Sequence, residues 1–231
     1  MIRGLAFDLE GTVIDLEWAH WQGHLEAAKE AGLTLNVERA IWEIPCFVGG
    51  PDKDVARSIA ELCSNNVAAD VLLSRSRYHF HRLLASVKGI APRHGFMNVL
   101  RTVLERGIRI AIGSLTDHVL ATQLIKNSGL EPYFGSDKVV LGHDVANVKP
   151  APDVYLRTAE ILEVSPKEQL VFEDSINGVR AAYSAGSRVI AVPILQSTSF
   201  ACELLKAGAW GVFRAWNEMN ITGVLDNLNQ S

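Results

Sequence analysis

Cysteine is scarce in this chain: Cys46, Cys63 and Cys202 are the whole complement in 231 residues. Three is an odd number, and their separations fit neither a disulfide framework nor a metal-binding set. They read as small buried apolar residues in a reducing compartment. Long apolar runs are missing too. A membrane span needs about 18 residues, and the best run, Val189–Leu195, is short and contains Pro193. Arg3, Asp8 and Glu10 interrupt the start of the chain, so no secretory signal is expected and the cytoplasm is the expected location. Basic charge is not in excess. With 22 Lys+Arg against 26 Asp+Glu, the formal net charge is −4, which argues against a nucleic-acid partner. Repeats and low-complexity tracts are also absent. What is present is ordinary for a soluble globular protein: 48% hydrophobic and 21% charged residues, with room for one large domain or a domain carrying an insertion.

The hydrophobic pattern changes character along the chain. Leu5-Ala6-Phe7 is a short apolar run ending at Asp8 and punctuated by Gly11-Thr12, the pattern of a buried strand delivering a carboxylate. From Glu17 to Lys88 the spacing predicts four helices and no strand: 17–31, 37–47, 52–63 and 68–87. After Pro92 strands and helices alternate. Phe96, Val99, Leu100, Val103 and Leu104 share one helix face. Strands are predicted at 108–112, 138–141, 170–172, 188–192 and 210–213, with helices at 117–128, 152–162, 176–185, 199–206 and the C-terminus. Such alternation builds right-handed βαβ units, so the fold class is α/β with a Rossmann-like parallel sheet and an inserted helical domain. The expected domains are 1–16 with 89–231, and 17–88. The crossings at 15–17 and 88–92 are the expected hinges.

Ligands of parallel sheets sit at the carboxyl ends of the strands. Those ends carry Asp8-Leu9-Glu10-Gly11-Thr12, Gly113-Ser114, Val148-Lys149-Pro150 and Glu173-Asp174-Ser175. Clustered carboxylates repel one another unless a cation joins them. Asp8, Glu173 and Asp174 supply the hard oxygen ligands that Mg²⁺ takes. Ser114 and the amides of the Gly11-Thr12 turn can donate to phosphate oxygens, and Lys149 adds a positive charge. The set suits phosphoryl transfer with a carboxylate nucleophile. Taken singly, Glu173-Asp174-Ser175 would also suit a helix N-terminus, and Ser114 an N-cap.

These four segments, Asp8–Asp15, Ser114, Lys149–Asp153 and Phe172–Gly178, resemble the four motifs of the haloacid dehalogenase superfamily. The string Val171–Gly186 is most similar to its β-phosphoglucomutase and sugar-phosphate phosphatase branch, and the insert resembles that branch's small helical cap. The resemblance implies Asp8 as nucleophile, Glu10 as general acid/base, and Ser114, Lys149 and the Gly11-Thr12 turn as phosphate ligands. It implies Mg²⁺ held by Asp8, Asp174, Glu173 directly or through water, and the carbonyl of Glu10. In the cap, His20 stands where sugar-phosphate members often carry His.

The chain departs from the pattern at several positions. Glu10 replaces the usual Asp, as in the enolase-phosphatase branch, and its longer stem must be absorbed within a reach of ~2.6–3.2 Å. Leu115 and Val148 replace small or polar residues beside Ser114 and Lys149. Gly50 stands where β-phosphoglucomutases carry an Arg that anchors a distal phosphate, and Lys53 is a flexible substitute rather than a fork. The expected activity is therefore Mg²⁺-dependent hydrolysis of a small phosphorylated metabolite, a sugar phosphate, by a monomer or weak homo-oligomer. The rivals are a phosphomutase, disfavoured by Gly50, and a phosphate-binding protein in which Glu10 has impaired catalysis. Trp18 and Trp21 are expected to pack, and the basic run Arg75–Arg82 to form mostly a solvated face.

Overall fold

The computed structural model describes residues 1–44, 47, 51–86 and 89–230. Cys46, Gly49, Gly50 and Lys88, all used in the sequence reading, lie outside the described residues. The chain divides into two compact units, Leu16–Lys88 and Met1–Asp15 with Gly89–Ser231.

The first unit contains α1 (Glu17–Glu30), α2 (Val37–Glu43), α3 (Asp52–Leu62) and α4 (Ala69–Ser86). Helix α4 packs against both α1 and α3. Ala27, Ala28, Ala40, Ile44, Val55, Ile59 and Leu72 form its core. Asn36 caps α2 by accepting from the Arg39 amide at 2.8 Å. That helix stops at Glu43 rather than running on to Phe47, because Ile44 has turned to extended backbone (φ −121°, ψ 97°). Trp21 packs on Phe47, but Trp18 is exposed, contrary to expectation. In the basic run, His79 is the exception to a solvated face: it is buried and bonded to Glu30.

The second unit is a single six-stranded sheet flanked by helices. Its strands are β1 (Gly4–Phe7), β2 (Arg109–Gly113), β3 (Val139–Val140), β4 (Gln169–Glu173), β5 (Arg188–Ala191) and β6 (Gly211–Val212). They lie in the order β3-β2-β1-β4-β5-β6, every neighbouring pair parallel. The helices are α5 (Phe96–Glu105), α6 (His118–Asn127), α7 (Asp153–Ile161), α8 (Ile176–Ser184), α9 (Thr198–Lys206) and α10 (Ile221–Gln230). This is the α/β class expected from the alternation. The strand order reverses at β1, and the crevice beside the ends of β1 and β4 is where such sheets bind ligands.

An aromatic cluster anchors β1. Phe7 stacks on Phe172 at 5.4 Å and meets Phe96 edge-on at 5.3 Å, while Trp216 lies 5.0 Å from Phe172. Truncating the fully buried Phe7 to Ala would cost about 3–5 kcal/mol. The predicted face of α5 is buried at Phe96, Val99, Leu100 and Val103, but Leu104 at its edge is 38% exposed. Two cysteines also depart from expectation. Cys202 is exposed, on a helix whose only buried residue is Leu204, and Cys63 is half-buried at the end of α3. Among the described residues no helix is long and apolar enough to cross a membrane.

Candidate active site

Strand register assembles the site. Phe7 pairs with both Ile112 and Phe172, so the next residue on each strand, Asp8, Gly113 and Glu173, emerges at one edge. The Asp8 amide donates to the Phe172 carbonyl at 3.0 Å and fixes the exit of β1. The chain then turns through Gly11 (φ +84°), and the Gly11 and Ile14 amides close the loop on the carbonyls of Ile14 and Leu9. A cleft of about 320 Å³ is lined by Asp8, Glu10, Ser114, Leu115, Thr116, Lys149, Asp174 and Ser175.

Lys149 is buried and spends its ammonium on three acceptors: Asp8 Oδ1 at 2.6 Å, Glu173 Oε1 at 2.7 Å and the Gly113 carbonyl at 3.0 Å. Glu173 is 0% exposed, and both its oxygens are engaged. Oε1 also accepts from the Tyr155 hydroxyl at 2.7 Å, and Oε2 accepts from the amides of Asp174 and Ser175 and the Ser175 hydroxyl. A β-carbon on Gly178 would fall 1.7 Å from Glu173 Oε1, so only glycine in the first turn of α8 leaves that carboxylate its place. Ser175 is at the same time the N-cap of α8, accepting from the Gly178 amide at 3.0 Å. The helix-start reading of Glu173-Asp174-Ser175 and the acidic-cluster reading therefore both hold. The cap of α6, by contrast, is Asp117, which leaves Ser114 out of that role.

The Thr12 hydroxyl donates to Asp174 Oδ1 at 3.1 Å. Arg93 braces the same loop from beneath: its guanidinium donates to the carbonyls of Gly11, Thr12, Val192 and Pro193. The Trp216 indole donates to the Thr12 carbonyl at 2.9 Å. On the other side of the cleft, Thr116 donates to Glu10 Oε1 at 2.5 Å and lies 2.9 Å from the Ser114 hydroxyl. Leu115, at the cleft, and Val148 are exposed, and the hydroxyl missing at residue 115 is supplied one residue later by Thr116.

Burial of so many acids shifts their titration. Desolvation pushes Asp8 up to about 7, against the pull of Lys149 and with the push of Glu173 and Glu10. Desolvation, with Glu173 and Asp8 beside it, also raises Asp174 well above the usual carboxylate range. Burial would raise Glu173 as well, but Lys149, Tyr155 and Ser175 outweigh it and hold it low. Burial works against the Lys149 cation, yet Asp8 and Glu173 keep its pKa above the ordinary value. Fully ionised, the three carboxylates would carry more negative charge than Lys149 can neutralise, and Asp8 and Asp174 are the two that relieve it by holding protons.

A divalent ion would let all three ionise. One carboxylate oxygen from each of Asp8, Glu173 and Asp174 lies within 4.8 Å of the others. Three hard oxygens at that separation fit Mg²⁺. Glu173 already has both oxygens engaged by protein donors, so Asp8 and Asp174 are the carboxylates that could coordinate such an ion directly.

In the helical unit, His20 Nδ1 sits 3.3 Å from Asp52 Oδ1 and its ring stacks on Phe80 at 4.2 Å. His24 bridges Asp52 at 3.1 Å and Ser76 at 2.9 Å. Lys53 is exposed at the start of α3. Four residues escaped the sequence reading: Thr116, Tyr155, Arg93 and Trp216. A hydroxyl two residues past Ser114 was a usable signal for Thr116. The other three reach the site through contacts that leave no local mark.

The family model described as haloacid dehalogenase-like hydrolase matches residues 5–192. The chain is 28% identical over 222 residues to the phosphorylated carbohydrates phosphatase of Thermotoga maritima, covering 95% of this chain and 98% of that one. It is 31% identical over 192 residues to the fructose-1-phosphate phosphatase YqaB of Escherichia coli, covering 83% and 97%. A solved structure described as a putative β-phosphoglucomutase from Thermotoga maritima superposes with a TM-score of 0.76 at 26% identity, over 98% of this chain and 99% of that one. With a match that spans all three strands delivering these groups, and relatives aligned along nearly their full length, the chain belongs to the haloacid dehalogenase-like hydrolases.

Proposed function

We propose that this protein is a phosphatase that hydrolyses a small phosphorylated metabolite, a sugar phosphate, with Mg²⁺ at the acidic cluster. The observation that carries the reading is the shared position of Asp8: at the exit of the central strand, 2.6 Å from Lys149, beside Asp174, in one cleft with Glu10 and Ser114. Relatives named for phosphorylated carbohydrates and for fructose 1-phosphate support the sugar phosphate as substrate class. The family is generally Mg²⁺-dependent, which agrees with the carboxylate oxygens found here.

Asp8, Asp174 and the carbonyl of Glu10 would hold the ion, which when bound offsets charge on the phosphoryl oxygens. Lys149, Ser114 and the amides of the Gly11-Thr12 turn hold the phosphoryl group. An oxygen of Asp8 attacks phosphorus, the bond from phosphorus to the sugar oxygen breaks, and Glu10 gives that oxygen its proton. Water then attacks the phosphoryl-Asp8 intermediate, and Glu10 takes a proton from it. Asp8 leaves as a carboxylate, inorganic phosphate is released, and Glu10 is protonated again. Glu173 orients Lys149 and the backbone of residues 174–175.

The test is phosphate release from a panel of sugar phosphates that includes fructose 1-phosphate, with Mg²⁺ and with EDTA. Release that needs Mg²⁺ and disappears in Asp8→Asn is expected. No release from any sugar phosphate, or undiminished release in EDTA, would overturn the reading.

A further inference from the structure

We infer that Thr116 is the positioning residue for Glu10, tying its carboxylate to the phosphate-holding Ser114 through a hydroxyl relay. The inference rests on the reading of Glu10 as general acid and base. Glu10 lies half-buried on the loop after β1, on a side chain with three rotatable bonds. A proton donor on such a stem spends more of its time within reach of a leaving oxygen when a hydrogen bond fixes its carboxylate. Thr116 supplies such a bond. Its hydroxyl donates to Glu10 Oε1 at 2.5 Å, a short and direct hydrogen bond.

The anchor is itself rigid. Thr116 is buried, and β-branching restricts its χ1. The next residue, Asp117, is locked as the N-cap of α6 by the Leu120 amide at 3.0 Å. Thr116 has one hydroxyl proton, and it goes to Glu10. The Ser114 hydroxyl, 2.9 Å away, is then the donor to Thr116, and its one proton can turn instead to a phosphoryl oxygen while the Thr116 amide, 3.4 Å from Ser114 Oγ, keeps the two residues together. In the first arrangement a chain of two protons runs from Ser114 through Thr116 to Glu10. The residue that grips the phosphoryl group and the residue that moves the proton share one support. The length of the glutamate stem is what lets residue 10 reach it.

The experiment is a double-variant cycle on the full chain with Mg²⁺, using Thr116→Val, Glu10→Asp, both together, Thr116→Ser and Glu10→Gln. Substrates are fructose 1-phosphate, with an alkyl leaving group, and p-nitrophenyl phosphate, whose aryl oxide leaves without protonation. Thr116→Val should lower kcat on fructose 1-phosphate by about 10–100-fold, the loss of one hydrogen bond, with KM little changed. Thr116→Ser should restore most of it. The burst of nitrophenolate that reports phosphorylation of Asp8 should change much less. In the Glu10→Asp background Thr116→Val should cost nothing further, because the shorter carboxylate no longer reaches the hydroxyl. Melting curves check that each variant folds, and Thr116→Ala replaces Thr116→Val in the cycle if the latter does not. Additive losses in the double variant, or a Thr116→Val enzyme with wild-type kcat, would overturn the inference alone. A Glu10→Gln enzyme with wild-type turnover of fructose 1-phosphate would overturn the general-acid reading and the inference with it.

Discussion

Asp174 stands where a side chain on Gly11 would have to go: a β-carbon there would lie 2.1 Å from Asp174 Oδ2. The contact joins the loop after β1 to the acidic pair after β4. Gly11→Ala should push Asp174 out of place and strain a backbone held at φ +84°. Mg²⁺ affinity should fall by about 10–100-fold, the usual effect of disturbing the groups that orient a ligand. Calorimetric titration with Mg²⁺ measures it, and unchanged affinity would mean that Asp174 is not a ligand.

Asp8→Asn should abolish turnover, because an amide is not a competent nucleophile. The fold should survive. In EDTA at neutral pH the variant should melt at or above the wild-type temperature, since burial already disfavours the charged form of Asp8. Phosphate release and a melting curve test both halves.

Stability should respond to pH and Mg²⁺ together. The raised pKa of Asp8 means the metal-free fold holds a proton that the unfolded chain releases near pH ~3.9. That contribution is fully present below the unfolded value and is lost as pH rises through about 7. Asp174 acts in the same sense. Mg²⁺ binds the ionised carboxylates, so its whole stabilisation, about 2.7 kcal/mol where it is in hundredfold excess over Kd, should be larger at pH 8 than at pH 5.5, where protons compete for the same oxygens. Melting temperatures with Mg²⁺ and with EDTA across this range give the sign directly, and an equal Mg²⁺ increment at both pH values would contradict it.

Asp52 should contribute in the opposite direction in the helical unit. Burial raises its pKa, but hydrogen bonds and charge from His20 and His24 more than offset this and hold it well below the ordinary carboxylate range. A depressed pKa stabilises the fold above the unfolded value of ~3.9 and is lost as pH falls through the folded value. Asp52→Asn should therefore lower the melting temperature near pH 6, and the gap from wild type should close as the solution is acidified below about pH 3. A constant gap at all pH values would assign the effect to packing.

Much of the site was legible because its chemistry sits where local patterns end. Leu5-Ala6-Phe7 stops at Asp8, Ile110-Ala111-Ile112 is followed by Ser114, and Leu170-Val171-Phe172 by Glu173-Asp174. A parallel sheet then brings these ends to one edge. The supporting contacts were not legible, because they join distant segments. Thr116 and Glu10 are 106 residues apart in sequence, and Trp216 and Thr12 are 204. The depth of a side chain was equally hidden at helix margins, as the exposed Leu104, Trp18 and Cys202 record.

By itself, the sequence determined the alternation of strands and helices, and with it the parallel sheet and the order in which carboxylate, hydroxyl, lysine and acidic pair meet at its edge. Those features follow from hydrophobic period and turn residues, which act over a few positions. Tertiary structure alone decided which oxygens of that set remain available. Packing α7 and α8 against the sheet brings Tyr155 and Lys149 onto one oxygen of Glu173 and Ser175 onto the other, while Asp174 stays at the cleft beside Gly11. Adjacent acids of nearly identical chemistry are thereby given different parts, because a buried carboxylate must be satisfied by its neighbours and only the three-dimensional fold supplies them.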